Sequence, residues 1–201
     1  MCFVFGFKFF QEYLLFKKII ANLKAESRIA EVLVTDSSLD EYTRKYTTTI
    51  KFLEYDVKGK PLKPKFFTFK GNLIQFQTLV LRFDDKYIEE GHRMKGKSIY
   101  LFLKAFVLDG KNTQEFEITA RDRVPDGYKV SDAPTRFEKE IWQRFWKYAL
   151  DPMERSRVGI KNAQIEAPGS VFVPGTIYTL IIEHDGGIRI DTRPIPEILK
   201  N

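Results

Sequence analysis

Residue types that carry catalysis and metal binding are scarce in this chain of 201 residues. It contains one cysteine, Cys2, which has no partner for an internal disulfide, and two histidines, His92 and His184. Neither histidine stands in the close His or Cys spacing that a transition-metal site requires. No nucleophile elbow and no phosphate-binding glycine pattern occurs. The sequence therefore predicts no cofactor, no metal site and no catalytic residue, and it favours a protein that is not an enzyme.

One acidic stretch is the remaining candidate for hydrolytic or metal-dependent chemistry. Asp84, Asp85, Glu89 and Glu90 lie close together, with His92 just beyond them. Paired carboxylates bind divalent cations or divide acid and base roles. Because these residues lack the ligand spacing of a calcium-binding loop, the pattern favours a solvated connection between strands.

The sequence also lacks an apolar run of the roughly 20 residues that cross a membrane. Its most apolar stretch is the opening MCFVFGFKFFQEYLLFKKIIANL, where six of the 18 phenylalanines fall within the first 16 positions. Lys8, Glu12, Lys17 and Lys18 interrupt this stretch, so it does not span a membrane as written. The lysines follow the apolar residues and no small-residue cleavage site appears, which argues against a signal peptide.

At helical period the opening stretch forms one apolar stripe, which predicts an amphipathic helix within residues 1–25. This helix lies at a membrane interface, packs on its own domain, or forms a coiled-coil seam with another copy. A fourth alternative makes residues 1–7 the end of a longer membrane helix. The side chains expected to contact the membrane or a partner are Phe3, Phe5, Phe9, Phe10, Tyr13, Phe16, Lys17, Lys18 and Ile20.

Residues 26–201 have the pattern of a single β-rich domain. Short runs rich in β-branched and aromatic residues alternate with Gly, Pro, Asn and Asp turn signals, which predicts a series of antiparallel strands and hairpins. The predicted strands are residues 29–35, 47–57, 65–70, 73–83, 98–108, 113–119, 176–183 and 188–191.

One helix is expected among these strands. Thr135 and Glu138 form a capping box, and Trp142 and Trp146 stand on an apolar stripe that ends before Pro152. The stripe predicts a helix that packs over the sheet, followed by a short helix over residues 153–158. The expected fold is therefore α+β, mainly an antiparallel sheet or a partly closed barrel, with an N-terminal amphipathic helix and this Trp-rich helix on the sheet.

The charge balance allows a second kind of function. A net charge of +6 and a pI of about 9.2 favour contact with phosphates, in nucleic acid or anionic lipid. Lys65, Phe67, Phe69 and Lys70 combine cations with aromatic rings, as in β-barrels that bind single-stranded nucleic acid. The structural alternative is that the rings fill the core while the lysines protect an edge strand.

Four segments resemble a family of uncharacterised bacterial proteins that have an N-terminal membrane segment followed by a β-rich domain. The segments are residues 69–103 (FKGNLIQFQTLVLRFDDKYIEEGHRMKGKSIYLFL), 137–152 (FEKEIWQRFWKYALDP), 158–167 (VGIKNAQIEA) and 173–190 (VPGTIYTLIIEHDGGIRI). The resemblance implies an anchor and an architecture and transfers no catalytic residue. This chain departs from the family because it lacks a complete membrane span.

Together these observations predict a membrane-associated, non-enzymatic bacterial domain that acts through protein–protein contacts. The alternative is a β-barrel that binds single-stranded nucleic acid. Expected partners are a membrane surface or another protein, with self-association through the N-terminal helix as a further possibility. The location is cytoplasmic if that helix packs on its own domain.

Overall fold

The computed structural model describes residues 30–56, 59–83, 98–109, 112–129, 133, 136–157, 160–183 and 187–197. The predicted N-terminal helix, the acidic stretch with His92, and His184 lie outside these residues, as does Thr135 of the predicted capping box. The described elements are β1 (Ala30–Asp40), β2 (Lys45–Glu54), β3 (Lys65–Lys70), β4 (Leu73–Phe83), β5 (Ser98–Asp109), β6 (Asn112–Glu117), α1 (Arg136–Leu150), α2 (Pro152–Arg157), β7 (Ile160–Glu166), β8 (Gly169–Val171), β9 (Thr176–Ile182) and β10 (Ile188–Pro194).

The strands form two five-stranded sheets in which all described pairings are antiparallel. The first sheet has the order β10-β9-β1-β2-β3. The second has the order β6-β5-β4-β7, and β8 pairs with the beginning of β4. The predicted antiparallel architecture is confirmed. The two sheets remain separate and do not close into a barrel.

The main hydrophobic core lies between the two sheets. Side chains alternate along β2, so that Ile50 and Phe52 face inward and are buried. The Phe52 ring of the first sheet meets two rings of the second, Phe76 at 5.5 Å and Phe102 at 5.4 Å between centroids. Aromatic contacts of this kind stabilise a core by more than the burial of their apolar area alone would. The molecule is thus a β-sandwich in its central two layers.

A second core lies on the opposite face of the second sheet, where α1 packs. Trp142, Phe145 and Trp146 of α1 are buried in one cluster with Leu79 and Leu101 of the sheet. The predicted Trp-rich helix on the sheet is confirmed. Because β4 and β5 are covered on both faces, they have apolar residues on both, and the near-continuous apolar run of β5 predicts this burial.

The structure extends the first hairpin well beyond the sandwich. The pattern predicted that the first strand ends near residue 35, yet β1 continues to Asp40 and pairs with the start of β2 at Lys45. The side chains of residues 38–46 are all exposed. Because both faces of this part of the hairpin are exposed to solvent, its residues do not alternate between apolar and polar. Its polar sequence therefore has the pattern of a turn.

The pattern also missed β7 and β8. Both lie at an edge of the second sheet and pair with successive parts of β4. Edge strands bury little, so the sequence IKNAQIE of β7 carries few of the β-branched and aromatic residues by which strands are recognised.

Candidate functional site

The strand register defines two opposite ends of the sandwich. At one end β1 begins with Ala30, which pairs with Glu54 of β2 and Leu180 of β9. Lys65, the first residue of β3, pairs with Phe52 and lies at the same end, which we call the Ala30 end. The opposite end carries the β1–β2 hairpin and the turn between β3 and β4, and we call it the hairpin end.

A polar cleft of about 670 Å³ opens at the Ala30 end. Its walls come from the loop of residues 118–129 that follows β6, from the start of β3 and from one face of α1. This volume lies within the range of small-molecule sites. The charged side chains that line the cleft are Lys65, Glu117, Asp122, Arg123, Asp126, Lys129 and Lys139.

Hydrogen bonds to buried parts of the domain hold the loop of the cleft in place. The indole Nε1 of Trp146 donates to the backbone carbonyl of Arg123 at 2.9 Å. The hydroxyl of Tyr128 donates to the backbone carbonyl of Tyr100 at 3.3 Å, and Val124 is buried in the core beneath α1. The Arg123 side chain therefore projects from a backbone that the helix and the sheet position.

Asp126 is the most strongly paired acid of the cleft. Its carboxylate forms an ion pair with Lys129, and its Oδ2 lies 3.6 Å from the Nζ of Lys65. Lys65 also donates a hydrogen bond to the backbone carbonyl of Ile118. Burial raises the pKa of Asp126. The hydrogen bonds and charges of Lys129 and Lys65 together lower it by more than burial raises it, so the pKa lies below its ordinary value of 3.8.

Two cations of the cleft are left without such a partner. Among the residues that the structure describes, neither the guanidinium of Arg123 nor the ammonium of Lys139 has a hydrogen-bond or ion-pair partner. Gln143 follows Lys139 by one helical turn, so its amide lines the same wall. The remaining acids, Glu117 and Asp122, also line the cleft, which therefore holds four cationic and three acidic side chains.

A smaller cavity of about 370 Å³ adjoins the polar cleft and shares Lys65 and Asp126 with it. Phe52, Leu62 and the buried Glu54 form its inner wall. The two cavities together make the Ala30 end indented and rich in charged side chains.

The hairpin end carries the exposed cations Arg44 and Lys70 and, in addition, exposes several large hydrophobic side chains. Leu39 pairs with Tyr46 across the hairpin, and Leu73 pairs with Val171 across β4 and β8. Soluble proteins expose single hydrophobic residues routinely, whereas a group of them marks a contact surface. Seven such side chains, with exposed fractions from 41% to 100%, are Leu39, Tyr42, Tyr46, Leu73, Leu108, Val171 and Val173.

The turn of the hairpin holds Tyr42 in a defined position. Asp40 Oδ1 accepts hydrogen bonds from the backbone N–H groups of Tyr42 at 2.9 Å and Thr43 at 3.0 Å. The bond from Thr43 lowers the pKa of Asp40. Arg44 adopts a φ of 55° and donates its N–H to the carbonyl of Asp40 at 2.8 Å. A fully exposed aromatic ring thus stands on an ordered turn.

The structure separates the four residues that suggested nucleic-acid binding. Phe67 and Phe69 face the core and are buried, and they contact Phe116 of β6 at centroid distances of 5.3 and 5.0 Å. Lys65 and Lys70 lie at opposite ends of β3. The rings therefore occupy the core, which is the structural alternative stated above. The predicted contact residues between Phe3 and Ile20 lie outside the described part of the chain.

The described residues contain no group of three or more His, Cys, Asp or Glu side chains that could hold a metal ion. Within the same ranges, neither helix is long and apolar enough to cross a membrane.

Sequence reasoning singled out Lys65 but missed the rest of the polar cleft. Arg123, Asp126 and Lys129 fall in the segment TARDRVPDGYK, whose Pro-Asp-Gly turn signal indicates only a loop. Its mixed charges, close to a predicted helix with Lys139, were the one signal that could have suggested a site.

Comparison of the chain with protein-family models, curated proteins and solved structures found no match.

Proposed function

We propose that this protein is a non-enzymatic, membrane-associated bacterial domain that acts through protein–protein contacts. In this proposal the Ala30 end faces an anionic membrane surface and the hairpin end faces a partner protein. The observation that carries it is the difference between the two ends: five cations line the cavities at the Ala30 end, and seven exposed hydrophobic side chains lie at the hairpin end.

The arrangement at the Ala30 end supports the membrane half of the proposal. The described part of the chain begins at Ala30 in β1, and Lys65 lies two strands away, roughly 10 Å across the sheet at the usual strand spacing. A lysine or arginine near an anionic bilayer contributes about 1 kcal/mol of attraction. The cations of this end are Lys63, Lys65, Arg123, Lys129 and Lys139.

The hairpin end supports the partner half. The tip of the hairpin lies beyond the sandwich, and the cross-strand pair Leu39–Tyr46 leads to Leu73 through the hydrogen bond from Gly71 N to Tyr46 O. Exposed tyrosines supply large contact area at low cost in conformational entropy. The partner surface that fits this end is apolar, with a pocket for the ring of Tyr42.

Flotation with vesicles tests the membrane half. The full chain and a version that starts at Glu26 are mixed with vesicles of phosphatidylcholine alone or with phosphatidylglycerol added. We expect the full chain to float with the anionic vesicles and less so at high salt, because salt screens the attraction of the cations. Failure of the full chain to float with either vesicle at low salt would contradict the proposal.

Crosslinking tests the partner half. A photoreactive phenylalanine analogue is placed at Tyr42 and, as the matched control, at the exposed Thr192 of β10. We expect a discrete adduct only from position 42, and we expect Leu73→Ser to remove it because that change disrupts the same surface. Equal adducts from both positions, or an adduct insensitive to Leu73→Ser, would count against a partner at the hairpin end.

A further inference from the structure

We infer that the polar cleft binds a phosphate group, held by Arg123 and Lys139 with the amide of Gln143 as an additional donor. The inference rests on the proposed function only for the source of the phosphate, which is a lipid headgroup if the Ala30 end faces a membrane and otherwise a free phosphate ester.

The first step concerns which cations of the cleft are paired with an acid. Lys65 and Lys129 share a single acid, Asp126, so these three groups leave one positive charge. Arg123 and Lys139 add two cations that lack a partner among the described residues. Glu117 and Asp122 line the same cleft, so its four cations and three acids leave a net charge of +1, and the positive potential that favours an anion is local to Arg123 and Lys139.

The second step is the fixed position of these donors. The hydrogen bond from Trp146 positions the backbone of Arg123, while Lys139 and Gln143 stand on the same helix as Trp146. Because helix and loop are tied together, the side chains of both walls start from a defined separation. Binding then loses less conformational entropy of the backbone, which is the usual benefit of a preorganised site.

The third step is the match between donors and ligand. A guanidinium presents a planar fork that binds phosphate in a bidentate manner, and an ammonium supplies a compact charge beside it. Three donor groups in the lining of one cleft match the several oxygens of a phosphate better than the two of a carboxylate. Glu117 and Asp122 in the same lining oppose an extended polyanion such as nucleic acid, so the site suits a single phosphate group.

The intrinsic fluorescence of the chain reports on the cleft. It has two tryptophans, and one of them, Trp146, is bonded to the backbone of Arg123. The full chain is titrated with inorganic phosphate and with glycerol 3-phosphate, and flotation with phosphatidylglycerol vesicles is measured in parallel. The test variant is Arg123→Gln with Lys139→Gln. The control variant, Arg44→Gln with Lys70→Gln, removes the same charge at the hairpin end.

We expect the test variant to lose about tenfold or more in affinity for phosphate, since it lacks two charge-assisted hydrogen bonds, while the control variant binds like the wild type. If the soluble phosphates fail to bind but the test variant alone loses flotation, the source is a lipid headgroup and the site stands. If wild type binds soluble phosphate and does not float, the site stands and the membrane proposal fails.

Two outcomes overturn the inference. One is a test variant that matches the control variant in every arm of the experiment. The other is binding of a labelled oligonucleotide without binding of inorganic phosphate, glycerol 3-phosphate or vesicles, which would assign the cleft to an extended polyanion.

Discussion

The side-chain amide of Gln114 hydrogen-bonds both backbone groups of Lys70. The N–H of Lys70 donates to Oε1 at 2.8 Å, and Nε2 donates to the carbonyl of Lys70 at 3.2 Å. Gln114 belongs to β6 and Lys70 to β3, which are edge strands of different sheets. The amide thus satisfies part of the free edge of β3 without a neighbouring strand, and unpaired edges otherwise invite pairing with other chains. Phe116 packs beside it on Phe67 and Phe69.

Replacement of Gln114 should loosen this edge. We expect Gln114→Ala to speed hydrogen exchange at the Lys70 amide and to lower the free energy of unfolding by about 1 to 2 kcal/mol, because two hydrogen bonds are lost. The matched control is Gln143→Ala, at an exposed glutamine of α1. Hydrogen exchange followed by NMR measures the first effect and urea unfolding the second. An unchanged exchange rate at Lys70 would show that the bridge does not form.

Thr48 carries a buried hydroxyl that has no hydrogen-bond partner in the described structure. A buried polar group without a partner costs free energy, so the nearly isosteric Thr48→Val should raise the free energy of unfolding by about 1 kcal/mol. The matched control is Thr78→Val, since Thr78 is also buried but donates to the carbonyl of Glu166 at 3.3 Å. We expect the control to be destabilised by a similar amount in urea unfolding. Equal losses in both variants would contradict the account.

Gly71 stands at the turn between β3 and β4 with a φ of 127°, which side chains of L residues rarely adopt. A Cβ there would also lie 3.1 Å from Cγ1 of Val107. We expect Gly71→Ala to lower the free energy of unfolding by about 2 to 3 kcal/mol. Gly59→Ala is the control, because its φ is 76° and nothing lies within 4 Å, so only the backbone cost of about 1 kcal/mol remains. Thermal or urea unfolding compares the two, and an equal loss would exclude the contact with Val107.

The ion pairs of Asp126 predict a contribution to acid stability. Its folded-state pKa lies below the ordinary value of 3.8, so the carboxylate stabilises the fold above that value and this stability is lost as the pH falls through the folded pKa. Asp126→Asn removes the group that titrates. The free energy of unfolding of this variant should therefore fall less steeply than that of the wild type as the pH is lowered over this acidic range. The difference is modest because the side chain is half exposed.

Urea unfolding at a series of pH values measures this slope. Lys129→Gln should flatten it as well, since the variant removes the stronger of the two cations that lower the pKa of Asp126. A wild-type curve that coincides with that of Asp126→Asn below the ordinary pKa would rule out the predicted linkage.

Several parts of the fold follow from local pattern. The alternation in KFFTFK, the near-continuous apolar run of β5 and the Trp-rich stripe of α1 each predict an element that the structure contains. These signals work because burial on one or both faces imposes a periodicity on the residues themselves. The exposed part of the first hairpin and the edge strand β7 lack that periodicity because they bury little, and for this reason the pattern did not predict them.

The sequence by itself determined that the domain is rich in antiparallel strands, that one amphipathic helix packs on it, and that motifs for catalysis are absent. Only the tertiary structure decided that Phe67 and Phe69 point into the core, because a strand pattern does not say which face is covered. It likewise brought Lys65 together with Arg123 and Lys139, residues far apart in the chain, through the register of β3 and the position of α1. Charge and aromatic content are properties of residues, whereas a site requires side chains from several elements to meet, and packing alone brings them together.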